Sequence, residues 1–332
     1  MNTQHPTRWS WLRPMSRAIA RATATRKRKA LLLVVALFFV LEGLARLTFV
    51  GPFTLVGPSA DPRLLYELRP GTFVSDGYIF PFHRATYTIR ADGCRVSTKA
   101  AADAPATDVV VLGSSTVFAF GAEFEDTIGA RLRAALQRTR GAPVEVASCA
   151  IPGHRLPNSL RTAELQLHAK HPRVIAVFVL PHHLSRSINW ALMTPSNPTV
   201  AWLTGHLRLG RVAYLQYINQ VRGVKFDKLG YEEPDKLTQS LDQLVSAVRG
   251  TTTKVVFFLM GEVVHPSVNL ERELTSRGLE VHHIESPPQR PEFWAVEDGG
   301  PAKPYPSAIG AEFIVSQVSG TVDAALGPSH QN

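Results

Sequence analysis

The first 29 residues contain no aspartate or glutamate. They do contain Arg8, Arg13, Arg17, Arg21, Arg26, Lys27, Arg28 and Lys29, so this tail carries +8 of the chain's net charge of +9. The other residues are close to neutral. The basic balance therefore belongs to a tail and gives the folded part no reason to bind nucleic acid. Cysteine is scarce. Cys94 and Cys149 are the only two, and they do not form a Cys-x-x-Cys pair. Two adjacent histidine pairs occur, His182-His183 and His282-His283, and neither has the i,i+4 spacing that puts two ligands on one helix face. Neither pattern suits a metal. The phosphate-cradling loop Gly-x-x-x-x-Gly-Lys-Ser/Thr and the dinucleotide fingerprint Gly-x-Gly-x-x-Gly are also missing, so no cofactor is expected. There is no internal repeat, and the sequence assigns no oligomeric state.

An unbroken apolar run, Ala30 to Leu41, follows the basic tail. Glu42 and Arg46 come next, four apart and therefore on one helix face. A helix over 30–50 would be about 30 Å long, enough to cross the hydrocarbon. The flanking positive cluster would keep the N-terminus in the cytoplasm and send the rest across the membrane. A cleaved signal peptide is the competing reading, but no small-x-small cleavage site follows the apolar core. A cytoplasmic protein with a basic nucleic-acid-binding tail would require 30–50 not to insert. The expected organisation is a cytoplasmic tail over 1–29, a single-pass anchor over 30–50 in the inner membrane, a linker and outer strand segment over 51–107, an extracytoplasmic domain over 108–325, and a tail over 326–332. A translocated domain can hold a disulfide. Cys94 and Cys149 read equally well as that bridge and as two isolated buried thiols.

Beyond residue 108, apolar strands alternate with amphipathic helices. The strands are 108–113, 144–149, 173–180, 254–260 and 279–285. The helices are 125–139, 158–171, 235–250, 268–278 and 307–325. The region 185–230 mixes loop and helix. This order predicts a doubly wound, mainly parallel α/β sheet covered on both faces. Sites in such sheets lie beyond the carboxyl ends of strands. The first of these ends reads Gly113-Ser114-Ser115-Thr116. Taken alone, it is a helix cap. The hydrolase elbow Gly-x-Ser-x-Gly fails because Val117 stands where the last Gly belongs.

Several ordered blocks together resemble the SGNH/GDSL-type hydrolases, in particular membrane-anchored bacterial members. They are "YTIRADGCRV", "DVVVLGSSTVFAFGAEFEDTIGARLRAAL", "VEVASCAIPGHRLPNSL", "HPRVIAVFVLPHHL" and "YPSAIGAEFIVSQV". The resemblance spans about 60–325 and implies a three-layer sandwich with ester chemistry. It places the nucleophile at Ser115, with Ser114 where the family has Asp, and an oxyanion-holding backbone N–H at Gly153. The third block normally carries an Asn, and here the strand runs instead into Pro181-His182-His183-Leu184. The last block normally carries Asp-x-x-His, but Ala302 and Tyr305 stand there. No histidine occurs between His283 and His330.

A serine hydroxyl needs an adjacent base, and tyrosine, with a pKa near 10, is a poor one at neutral pH. Two explanations remain open. Either His182 or His183 replaces the base, with His154 and His265 as further candidates, or catalysis is lost and the pocket binds a ligand or partner. Thr116, His154 and Tyr305 would line that pocket. An active enzyme would hydrolyse esters or transfer an acyl group such as acetyl, with an acylated envelope glycan or lipid as substrate. An inactive one would bind or scaffold in an envelope polysaccharide or secretion assembly.

Overall fold

The computed structural model describes residues 27–44, 55–76, 84–97, 107–119, 121–185, 197–207, 231–294 and 306–328, with isolated positions between 209 and 217. The central eight-stranded sheet contains β3 (Gly71–Asp76), β4 (Arg84–Ile89), β5 (Arg95–Val96), β6 (Val109–Leu112), β7 (Val146–Ser148), β8 (Val174–Val179), β9 (Lys254–Met260) and β10 (Glu280–Ile284), in the spatial order β10-β9-β8-β6-β7-β5-β4-β3. From β10 to β7 the pairs are parallel, and from β7 to β3 they are antiparallel. Numbered by chain order, the parallel strands run 2-1-3-4-5, with a switch point between β6 and β8.

The apolar runs become buried strands because both faces are covered. Val109 and Val111 of β6 face one core, while Val110 and Leu112 face the other, as a period of two requires. One face is covered by α3 (Ile128–Arg140) through Ile128, Leu132 and Leu136, and by α8 (Ala308–Leu326) through Ile314, Val318 and Val322. The other is covered by α4 (Leu156–Lys170), α6 (Pro234–Val248) and α7 (Leu270–Thr275), with Leu160, Leu167, Leu237, Leu241 and Leu274 turned inward. The expected three-layer arrangement is present.

Two expectations change. Residues 52–68 read as a linker because Pro and Gly punctuate them, yet β1 (Val56–Pro58) and β2 (Tyr66–Leu68) form an antiparallel hairpin there. Buried Val56, Tyr66 and Leu68 join the core. Polar bonds pin the hairpin loop to α4: Arg161 to Asp61, Arg63 to Glu164, and Asn158 Nδ2 to Arg63 O. The second change concerns the N-terminus. Among the described residues, no helix is long and apolar enough to cross a membrane. Helix α1 covers 27–44 and begins with Lys27, Arg28 and Lys29. Its apolar part ends at Glu42, about 18 Å on at 1.5 Å per residue, against about 30 Å of hydrocarbon. Glu42 is buried and accepts the Leu209 N–H at 3.0 Å. Arg46, its expected partner, lies outside the described residues.

The junction between the parallel and antiparallel halves is narrow. β5 meets β7 only at Arg95 and Ser148. A disulfide between Cys94 and Cys149, both buried, crosses the same point, which decides between the two cysteine readings. It encloses a loop of 55 residues by sequence separation, for which chain-entropy arguments give about 4 kcal/mol. A Cys94→Ala/Cys149→Ala variant should lose stability of that order in urea titration. A variant that unfolds at the wild-type midpoint would show that the bridge adds nothing.

Candidate active site at the switch point

Strand β6 ends at Leu112, and the chain then enters α2 (Ser115–Phe118) through Gly113 and Ser114. Gly113 is required by proximity, since a Cβ there would sit 2.5 Å from Val117 Cγ2. Ser114 is the residue before the helix, and its carbonyl accepts the N–H groups of Val117 and Phe118. Its hydroxyl makes no capping bond. Instead, Ser114 Oγ lies 2.6 Å from His183 Nε2. His183 sits in the single turn Pro181–Leu184 directly after β8. The two strands that flank the switch point thus bring one serine and one histidine together. Both are essentially inaccessible, Ser114 at 0% and His183 at 1% exposure.

The direction of this bond follows from the other ring nitrogen. The Leu180 backbone N–H donates to His183 Nδ1 at 3.1 Å. A nitrogen that accepts carries no proton, so the proton of the neutral ring is on Nε2, which donates to Ser114 Oγ. A general base needs the opposite arrangement, with Nδ1 donating and Nε2 free to accept. The pair joins two turns but does not activate a nucleophile.

Ser115, at the nucleophile position, opens α2 and is partly exposed. Neither nitrogen of His183 is available to it. Gly153 follows β7 with a φ of +79°, a left-handed conformation that suits glycine. Its loop is tied to the serine turn by the Ile151 N–H, which donates to Gly113 O. The hairpin holds the loop from the other side, where the Tyr66 hydroxyl donates to Pro152 O at 2.9 Å.

The remaining expected site residues separate. Thr116 is buried at 3% exposure. His154 is fully buried, with Nε2 donating to Tyr66 O at 3.1 Å and its ring edge-on to Tyr66. It clamps the hairpin to the loop. His265 is also buried, with Nε2 donating to Glu232 O and Nδ1 accepting the Ser267 N–H, so it too is committed to backbone. The side chain of His182 and the whole of Tyr305 lie outside the described residues. Among the described residues no cluster of histidine, cysteine and carboxylate could hold a metal.

Sequence reasoning missed Arg95. Its guanidinium is buried and donates to the carbonyls of Phe118, Ala119 and Ala122. Its carbon lies 4.5 Å from the Tyr87 ring centre and 5.0 Å from that of Phe118. Burial lowers its pKa to about 10, opposed by Tyr87, Glu123 and Glu125, so it stays charged at neutral pH. Arg95 holds the far end of α2 while Ser114 and His183 hold the near end.

The buried His154 makes a prediction about pH. Burial lowers its pKa to about 4, opposed by hydrogen bonds to the backbone of Tyr66 and Leu64. The unfolded chain takes up this proton near pH 6.5, but the folded chain does not until about pH 4. Stability from this group is therefore complete above 6.5 and falls as pH drops towards 4, by an amount on the order of 3 kcal/mol. His154→Gln should flatten the acid side of the stability–pH curve. An unchanged slope would refute the assignment. Ser114→Ala, which removes the acceptor for a buried N–H, should cost about 1–3 kcal/mol in denaturant melts.

No protein-family model matches the sequence, and no curated protein matches it. Solved structures do show likeness. One is TesA, at 14% identity and a TM-score of 0.38, covering 65% of this chain and 98% of that one. Another is the psychrotrophic esterase EstA from Pseudoalteromonas sp., at 11% and 0.39, covering 68% and 100%. A third is AlinE4, an SGNH-hydrolase family esterase, at 16% and 0.32, covering 68% and 100%. These neighbours include SGNH-type esterases, but identities and TM-scores this low leave the chemistry of this chain to its own side chains.

Proposed function

We propose that this chain is an ester-directed protein of the SGNH/GDSL kind, which seats an acyl ester over Ser115 and turns it over weakly. The observation that carries this reading is the placement of a partly exposed Ser115 at the head of α2, beyond the strand end at the switch point. In turnover, Ser115 Oγ bonds to the acyl carbon and the ester C–O bond breaks. The hydroxyl proton ends on the departing alcohol oxygen. Water or an acceptor hydroxyl then takes the acyl group, giving hydrolysis or transfer. The N–H groups of Ser115 and Gly153 are the proposed oxyanion donors. A positioned base is worth roughly 10²–10⁴ in rate, and His183, with its Nδ1 accepting the Leu180 N–H, does not supply one. Turnover is therefore slow by that factor.

The same hydrogen bond favours a second reading, in which the site binds an ester or a partner without turning it over, as in an envelope polysaccharide or secretion assembly. Fold alone does not choose between them.

We further propose that α1 attaches the chain to the inner membrane, with the folded part outside the cytoplasm and an acylated envelope glycan or lipid as substrate. The described side chains from Leu31 to Leu41 include large apolar groups at 39–71% exposure, and a helix that is apolar all round belongs in an apolar medium. The Cys94–Cys149 bond suits an oxidising compartment.

Treatment with a serine-directed fluorophosphonate should label the wild type slowly. Ser115→Ala should abolish the labelling, and Ser114→Ala should leave it. Labelling lost only in Ser114→Ala would move the nucleophile by one residue. A folded wild type that never labels would leave the binding reading.

A further inference from the structure

At the narrow junction of the sheet, Arg95 of β5 stands directly opposite Ser148 of β7. In an antiparallel pair, residues so placed send their side chains to the same face. Here it is the face covered by α3. A Cβ on Gly129 of α3 would sit 2.9 Å from Ser148 Cβ and 3.2 Å from Ser148 Oγ, so the first turn of that helix rests on the serine. Both residues are shut off from solvent, Arg95 at 0% and Ser148 at 1% exposure. Buried polar atoms are nearly always hydrogen-bonded. Yet Arg95 Nε and Ser148 Oγ have no partner among the described residues. Two such atoms on facing residues point to one ligand shared between them.

The chemistry of that ligand follows from the groups around it. The terminal nitrogens of Arg95 donate to the carbonyls of Phe118, Ala119, Thr86 and Ala122. That leaves Nε–H, which can only donate. The head of α3 adds further donors. Thr127 takes the Ala130 N–H with its side chain, while Ile128 and Gly129 hold the first two N–H groups of the helix, which have no acceptor within it. This end of a helix also carries partial positive charge. Arg95 itself is a cation with no carboxylate bonded to it among the described residues. Glu123 and Glu125 act on it at a distance, and their oxygens accept the Thr86 N–H and the Ser97 hydroxyl. A water molecule suits such a set poorly. After accepting from Nε–H and a backbone N–H, it needs acceptors for two protons of its own, and Ser148 Oγ supplies one. An anion accepts from every one of these groups and neutralises the buried cation.

We propose that Arg95 Nε–H, the Ser148 hydroxyl and the first turn of α3 together hold one small monovalent anion of halide size, buried beside the carbonyl end of α2. A single negative charge balances Arg95. The close packing of Gly129 on Ser148 suits a monatomic ion rather than a phosphate. The anion completes the surroundings of the arginine that holds α2, and the inference is independent of any chemistry at Ser115.

The test uses the full chain in detergent, melted in sodium bromide and in sodium gluconate at equal ionic strength. The wild-type midpoint should rise with the logarithm of bromide concentration, as for a ligand that binds the folded state alone. Gluconate, too large to be buried there, should give no such rise. Ser148→Ala removes one donor without adding bulk, so it should fold and need several-fold more bromide for the same rise. Arg95→Met should lose the response altogether, and if that variant does not fold, Ser148→Ala carries the comparison. No bromide-specific rise in the wild type would overturn the proposal. So would equal responses of wild type and Ser148→Ala, because a general salt effect acts on both alike. Crystals grown in bromide give an independent readout. An anomalous peak should lie at hydrogen-bond distance from Arg95 Nε and Ser148 Oγ. A water there without anomalous signal, or bromide found only elsewhere, would equally overturn the site.

Discussion

The hydrogen bond between Ser114 Oγ and His183 Nε2 closes the end of the sheet at its switch point. β6 and β8 are neighbours, and the chain leaves each of them in opposite directions, into α2 and into the turn Pro181–Leu184. Without a link, two short turns would face each other across a crevice. The bond at 2.6 Å ties them together, and burial makes it costly to break, because the ring N–H would lose its acceptor away from water. The Leu180 N–H bonded to Nδ1 fixes which nitrogen carries the proton. One backbone donor therefore decides the chemistry: it makes His183 a donor, and a donor cannot take a proton from a serine.

Helix α2 has four residues, too few to hold its own conformation, since a single turn fixes many torsions for little hydrogen bonding. Its position is imposed from both ends. At the entry, Gly113 lets the chain pass against Val117. At the exit, Arg95 collects the carbonyls of Phe118, Ala119 and Ala122. A buried cation without a bonded carboxylate is costly. Here four carbonyls, that of Thr86 included, and two aromatic rings offset that cost, and positive charge suits the carbonyl end of a helix. Cys94 precedes Arg95 in the chain, and its partner Cys149 precedes the Gly153 loop. One covalent link thus registers the arginine that braces Ser115 against the loop beside it. The antiparallel strands serve as the brace of the serine turn.

Much of the fold was legible because its signals are local. β6, β8 and β9 are continuous apolar runs, and the inward leucines of α4 and α6 recur at helical spacing. The hairpin over 56–68 was hidden because its Pro and Gly residues read as punctuation, while its anchors, Tyr66 to Pro152 and Asn158 to Arg63, are 86 and 95 residues apart. His183 was visible as a candidate base beside the serine turn. Its partner was displaced by one residue because α2 starts at Ser115, which leaves the Ser114 hydroxyl facing the β8 side. No pattern in the sequence places a helix start to that precision. Arg95 could not be found, since an arginine between Cys94 and Val96 reads as a polar strand residue and its partners lie 23 to 27 positions away. His154 stood beside Gly153 in sequence, but its burial under Tyr66 turned a candidate pocket residue into a clamp.

The distribution of charge gives this architecture a direction. The tail over 1–29 and the segment over 186–230 together hold fourteen basic residues against one acid, whereas the rest of the chain has twenty-two basic and twenty-six acidic residues. The folded body outside those two segments is therefore net negative and would be repelled by an anionic surface, while the two basic segments would be drawn to it. Each basic segment adjoins apolar side chains exposed on a helix, α1 in one case and α5 (Pro198–His206) in the other. The bond between Glu42 and Leu209 joins the two apolar elements, and the Ser185–Tyr231 bridge joins the second to the turn that holds His183.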